Sequence, residues 1–233
     1  MRPLSILFCT VTRRERHKQE RLERIKSAAW ELFTTQGYEG TTIRTISDLA
    51  DVGVGTVNVL GGDKGGLLMK VFQEAIAQQM NGLRIDEAAP LAERIYLTLD
   101  HFLTFYEDKK DLLRHYLRET FYGVRTPEEL QEELARSAML IDLMAGWVTQ
   151  EQRAGRIRPD ADGHLVGQTI FSGYMMVLQS WLSGFYSLDE LRGQIKLSLQ
   201  HTVKLLQQPP GSAVNVAQNG VEAGQKDDEV SER

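Results

Sequence analysis

The sequence predicts an all-α protein: a small three-helix head followed by a larger helical body, about nine helices in all. Three observations carry this. Apolar residues recur at a period near 3.6 through most of the chain, and almost no stretch alternates with period two. The breaks between periodic segments fall at Gly, Pro, Asn and Asp, residues that end helices and make turns. The composition, 42% hydrophobic and 25% charged over 233 residues, supplies a core without covalent staples. The single cysteine, Cys9, excludes an internal disulfide and suits a reducing, cytoplasmic setting.

The elements follow in order. Residues 1–20 read as a basic, disordered extension: an apolar run from Leu4 to Val11 precedes the basic cluster, and no small-residue cleavage site follows to make a secretory signal. From Arg21, "RLERIKSAAWELFTTQGY" sets Leu22, Ile25, Ala29, Leu32 and Phe33 on one stripe, and Gly37 ends the helix. In "TTIRTISDLA", Thr41 or Thr42 is the N-cap, with Ile43, Ile46, Leu49 and Ala50 facing inward. "DVGVGTVNVL" then supplies a tight turn and a short third helix, and Asp63 opens a fourth, "KGGLLMKVFQEAIAQQM". The head is assigned to residues 21–68 and the body to 69–206.

Five further segments make up the body. They are "LAERIYLTLDHFLTFYED", "DLLRHYLRETFYG", a long helix opened by Thr126 and Pro127, and helices over 164–186 and 188–206. The helix over 164–186 is nearly long enough to span a membrane, but Gln168, Ser172, Gln179 and Ser180 interrupt it. With Leu191, Ile195, Leu199, Val203 and Leu206 on the next helix, the pair reads instead as a homodimer interface. Residues 207–233, polar and without a core pattern, read as a disordered tail.

Net charge is −5, which alone argues against a nucleic-acid partner. Its distribution argues otherwise: residues 1–26 carry eight Lys or Arg against three Glu, a local +5 that leaves −10 for the rest. The second and third helices of the head have the layout of a helix-turn-helix, whose second helix enters a major groove. Ile46, Leu49 and Ala50 give the first stripe, Asp51 to Gly53 the turn, and Val52 and Val57 the inward contacts of the third helix. The outward set, and with it the candidate DNA-binding set, contains Val54, Gly55, Thr56, Asn58 and Leu60. Asn58 suits a base edge or a phosphate, Thr42 and Thr56 suit phosphates, and Arg44 a phosphate or guanine. Lys64 adds charge where helix amides already favour an anion.

Other chemistry is poorly supported. "GGDKGG" lacks a following Ser or Thr and a preceding strand, so it is not a phosphate loop. "PDADGH" lacks the distal ligands of a calcium loop, and Asp160 or Asp162 is better read as a helix cap. His101 and His115 lie on adjacent helices, but isolated histidines there are more often structural than metal ligands. No nucleophile, base and orienting acid stand together, so neither an enzyme, a cofactor nor a metal is expected. The aromatic cluster of three consecutive body helices includes Phe121 and Tyr122 and is mostly core. From it, Phe102, Phe105, Tyr106, Tyr116, Met144 and Trp147 are the candidate ligand-binding residues.

The run "AAWELFTTQGYEGTTIRTISDLADVGVGTVNVLGGDKGGLL" resembles, without a gap, the DNA-binding domain of the TetR family of bacterial transcriptional regulators. Ala29, Phe33, Gly37, Tyr38, Thr41, Thr42, Ile43, Ile46, Ala50, Val52, Gly55, Thr56, Lys64 and Leu67 carry the likeness. The resemblance implies a homodimer on a palindromic operator. It also implies a small, largely apolar or aromatic effector bound among the body helices, and release of a repressor from DNA. The departures fall in and around the third helix. Asp51 stands at the family's turn glycine, Gly53 at a small hydroxyl residue, and Asn58 at a tyrosine. Leu60 and Gly61 replace an aromatic pair, and Gly65 an acid. These imply a loosened third helix with a gap at Gly61, and an alternative in which a degenerate head leaves a ligand-sensing dimer acting through a protein partner.

Overall fold

The computed structural model describes residues 12–124 and 126–207; the expectations for residues 1–11 with Cys9, and for the tail beyond Gln207, lie outside them. Nine α-helices run through the described residues. The head contains α1 (Arg13–Gly40), α2 (Ile43–Leu49) and α3 (Val54–Leu60), and α4 (Lys64–Gly82) leads out of it. The body contains α5 (Leu91–Tyr106), α6 (Lys110–Tyr122), α7 (Pro127–Arg153), α8 (Gly163–Leu182) and α9 (Leu188–Leu206). A single 3₁₀ turn, Glu107–Lys109, joins α5 to α6.

The first helix starts earlier than expected. Residues 13–20 are helical rather than part of a disordered extension, because Thr12 and Glu15 form a capping box. The Thr12 hydroxyl accepts from the Glu15 amide and the Glu15 carboxylate accepts from the Thr12 amide. That cap holds the Glu15 carboxyl below its ordinary pKa, the Thr12 hydrogen bonds being the main cause. Gly37, at φ 75°, breaks the helix near its end as the sequence implied, and the Thr41 amide closes the last turn onto the Tyr38 carbonyl.

Other ends follow their sequence signals. Thr42 caps α2, Asp63 caps α4 by accepting from the Gly66 amide, and Asp162 caps α8 by accepting from the His164 and Leu165 amides. Ser187 and Glu190 form a second capping box ahead of α9. The core is continuous from head to body, running from Ile25, Phe33, Ile46 and Val57 through Leu68 and Phe72 to Ile95, Leu103 and Met144. Each such fully buried side chain stabilises by about 1.5–3 kcal/mol relative to exposure.

Two assignments are corrected, an inward one and one to the interface between protomers. Leu49 is 47% exposed, because α2 ends there and the next contact with the core is made by Ala50. Leu191, Ile195, Leu199 and Leu206 are buried within the protomer, where α9 packs on α5 and α8, so they are not available to a second copy. The exposed apolar residues of this region are instead Leu165 and Met176 on α8 and Leu197 and Leu205 on α9.

Helices α7 and α8 pack closely because Gly167 lets them. A Cβ there would stand 2.8 Å from the Ile141 carbonyl oxygen, a distance no side chain tolerates. At the other end of the body, Arg94 of α5 is 1% exposed and reaches Glu151 and Gln150 of α7 at 2.5 and 2.7 Å. Arg156 holds the other oxygen of Glu151 and, with Arg94, keeps that carboxyl below its ordinary pKa. Removing one partner from so buried a pair is far more damaging than the pair is stabilising.

Candidate nucleic-acid interface and effector cavity

The helix-turn-helix is built locally. Asp51 takes the left-handed conformation, φ 51°, at the position where the family's pattern has glycine, and Asp is among the few side chains that tolerate it. The Val52 amide then donates to the Ser47 carbonyl at 3.1 Å, which turns the chain into α3. Gly53 is the N-cap of α3 and Gly61 its C-cap, so only Gly55 lies inside the helix. Val57 is fully buried beneath it, and the Lys70 ammonium of α4 donates to the Gly61 carbonyl at 2.9 Å, closing its C-terminal end.

The expected gap at Gly61 is absent. A Cβ at Gly61 would meet Leu67 Cδ2 at 2.7 Å and the Val57 carbonyl oxygen at 3.0 Å, so Leu67 already fills the space. Gly65 is likewise crowded: its Cβ would lie 3.2 Å from the Glu119 carboxylate of α6.

Thr42, Arg44, Val54, Gly55 and Asn58 are exposed on the head, while Thr56 and Leu60 are half-buried, Leu60 against the core. Thr42 spends its hydroxyl on capping α2. Lys64 is also half-buried, with its ammonium 4.1 Å above the Tyr38 ring. Sequence reasoning missed Val59, which is 83% exposed beside Asn58. It also missed the groove that α1 makes with α3, where Arg14, Lys18 and Arg21 face Gly53, Gly55, Thr56 and Val59. Positions 14, 18 and 21 are spaced i, i+4, i+7, so one face of the capped α1 extension is a basic stripe. The signal for it was legible as "TRRE", a capping box ahead of the basic run.

Behind the head, a cavity of about 610 Å³ lies between α4, α5, α6, α7 and α8. Phe102, Tyr106 and Tyr116 line it as expected. Phe105, Met144 and Trp147 do not. Phe105 points to the other side of α5, stacking on Trp30 with centroids 6.5 Å apart and receiving the Lys109 ammonium at 4.8 Å. The cavity meets α7 at Arg136, Ser137 and Leu140. One turn on, Met144 is fully buried in the packing of α7, and Trp147 lies 5.6 Å from the Arg94 guanidinium.

Head and body meet at Tyr38. The His115 ring of α6 stacks on it at 4.3 Å, and His115 Nε2 lies 3.6 Å from Glu39. His101 packs instead edge-on to Phe102, so the two histidines do not share a site. Among the described residues, no three His, Cys, Asp or Glu side chains are placed to hold a metal ion, and no helix is long and apolar enough to cross a membrane.

Comparison with known proteins gives a consistent result. Residues 25–68 match the model of the bacterial regulatory proteins of the tetR family. A Bacillus subtilis (strain 168) protein, described as the uncharacterized HTH-type transcriptional regulator YhgD, is 23% identical over 175 residues, 73% of this chain and 89% of its own length. A TetR-family transcriptional regulator from Pectobacterium atrosepticum superposes with a TM-score of 0.65 at 18% identity, covering 85% of this chain and 99% of that one. Thermus thermophilus FadR, a TetR-family repressor in complex with lauroyl-CoA, superposes with a TM-score of 0.59 at 24% identity, covering 81% and 97%.

Proposed function

We propose that the chain, whose residues 25–68 match the model of the tetR family of bacterial regulatory proteins, works as a cytoplasmic, homodimeric repressor released from a palindromic operator by a small effector. The observation that carries this reading is α4. It packs against α1 in the head and lends Ile76 and Met80 to the cavity wall, so one rigid helix touches both places.

The DNA face is α3 with its neighbours. Val54, Gly55, Asn58 and Val59 face a major groove, Val59 suiting the methyl of a thymine and Asn58 the edge of an adenine. Arg44 and the stripe Arg14, Lys18 and Arg21 meet the flanking phosphates. Helices α8 and α9 join two protomers through Leu165, Met176, Leu197 and Leu205, and hold two α3 helices about 34 Å apart, one turn of DNA. The exposure of those four side chains supports this arrangement.

The effector enters the cavity against Phe102, Tyr106 and Tyr116. Its apolar body fits their walls, and the lauroyl-CoA held by the Thermus relative supports that class. Occupancy shifts α4, and with it the two heads, toward a spacing that no longer fits the operator. Such coupling requires the effector to prefer the DNA-incompetent state, by about 1–3 kcal/mol in typical cases.

Fluorescence anisotropy with DNA from upstream of the chain's own gene tests the reading, with scrambled DNA as control at low and near-physiological salt. Sequence preference that survives the higher salt supports an operator-binding head. Equal loss on both DNAs overturns it, because charge-driven binding alone fades with salt irrespective of sequence.

A further inference from the structure

The third helix of the head, α3, carries no ionisable side chain. In "VGTVNVL", Val54–Leu60, the only polar side chains are Thr56 and Asn58. Val59 is 83% exposed and Val54 44%, and each lies one turn from a neighbour on the same side of the helix: Val54 from Asn58, and Val59 from Gly55. Val57 and Leu60 hold α3 to the core, so its packing does not need the two outer valines.

Gly55 belongs to the same face. A Cβ there would meet nothing within 4 Å, and the residue is helical, so neither packing nor conformation within the protomer calls for glycine. A bare backbone at that point lets a base or sugar come close. Cations reach this face from other helices. Arg14, Lys18 and Arg21 of α1 stand across the groove from Gly53, Gly55, Thr56 and Val59, and Arg44 is exposed on α2. The Lys64 ammonium is held 4.1 Å above the Tyr38 ring.

Base pairs differ in what they offer a helix in the major groove. Guanine is read chiefly by Arg or Lys, cytosine by Asp or Glu, adenine by Asn or Gln, and thymine through its methyl by apolar side chains. Of these partners α3 carries those for adenine and thymine and lacks the others; Thr56, which suits more than one base, is half-buried. We propose that the half-site beneath α3 consists of A·T and T·A pairs, with Val54 and Val59 on thymine methyls, Asn58 on an adenine, and no guanine or cytosine read by this helix. The cations of α1 and α2 then supply affinity through phosphates, which carry no sequence information. This inference rests on the reading of the head as an operator binder. It adds the class of operator and the chemical group, a methyl, on which discrimination turns.

Selection by the full-length protein from DNA duplexes with a randomised core, at near-physiological salt, tests the class. Enrichment of A·T-rich half-sites is expected. In the enriched duplex each thymidine is then replaced in turn by deoxyuridine, which keeps pairing and charge and removes only the methyl. A loss of about three- to fivefold in affinity is expected at each thymine that Val54 or Val59 covers, the worth of one buried carbon. Val59→Ser, at an exposed position that leaves the core intact, is expected to abolish the loss at one of these thymines and to leave the other. Half-sites converging on G·C pairs, uracil tolerated at every thymine, or losses unchanged by Val59→Ser overturn the inference and leave the operator-binding head standing. A pool that converges on no sequence overturns that head, and the inference with it.

Discussion

His115 of α6 stacks on Tyr38 at the end of α1, with ring centroids 4.3 Å apart, and so joins the body to the head. The groups around His115 are Arg118 and Asp111 on its own helix, Glu39 on α1 and Lys64 on α4. Burial lowers its pKa first, Arg118 and Lys64 lower it further, and Glu39 and Asp111 oppose them.

The folded state therefore prefers neutral His115, while the unfolded chain takes up the proton near the ordinary histidine value. The stabilising contribution is whole above that value and is lost as pH falls through the depressed one. His115→Phe, which keeps a ring against Tyr38, is expected to lose less stability between pH 7.5 and 5.5 than the unsubstituted chain. Urea unfolding at the two pH values measures the difference, and equal losses would exclude His115 as the group responsible.

Asp51 holds the turn between α2 and α3 with a positive φ. Replacing it with valine, whose branched side chain resists that conformation, is expected to destabilise by about 1–2 kcal/mol. Asp51→Gly is expected to stay within about 0.5 kcal/mol, since the ion pair it gives up, with Arg24 at 3.7 Å, lies in solvent. Thermal or urea unfolding of both variants checks the order.

Gly61 tests whether the third helix is closed or open. With Leu67 already against it, Gly61→Phe is expected to destabilise by about 1–3 kcal/mol through overpacking. Combining it with Leu67→Ala should recover part of the loss, because the ring then has a space to enter. A Gly61→Phe variant as stable as the starting chain would mean that the head has room the packing does not show.

The basic stripe makes a quantitative prediction. Replacing Arg14, Lys18 and Arg21 together by glutamine is expected to lower the slope of log K against log salt by about 0.9 for each phosphate left unneutralised, some 2–3 in all. Affinity should fall for operator and scrambled DNA alike, whereas Asn58→Ala should reduce the difference between them. Anisotropy titrations over a salt series separate the two effects.

Much of the fold was legible in the chain. Apolar spacing placed every helix, and "TTIR", "DKGG" and "DADGH" marked caps that Thr42, Asp63 and Asp162 do provide. These signals are local, each set by residues within a turn of one another, so the sequence alone determined the class, the order of elements and the helix-turn-helix. The start of α1 is equally local: the charge of "TRRERHK" suggests a solvated extension, but the capping box of Thr12 and Glu15 makes the segment helical.

Tertiary structure decided which face of each helix does what. Phe102, Phe105 and Tyr106 are neighbours in sequence, yet only the first and last reach the cavity, while Phe105 stacks on Trp30 of α1. The same holds for α9, whose regular apolar stripe is spent on the protomer's own core and leaves Leu197 and Leu205 outside. Periodicity specifies that a helix has an apolar face but not which surface will cover it. That is fixed by the angles at which the helices cross, and those depend on side chains far apart in the chain.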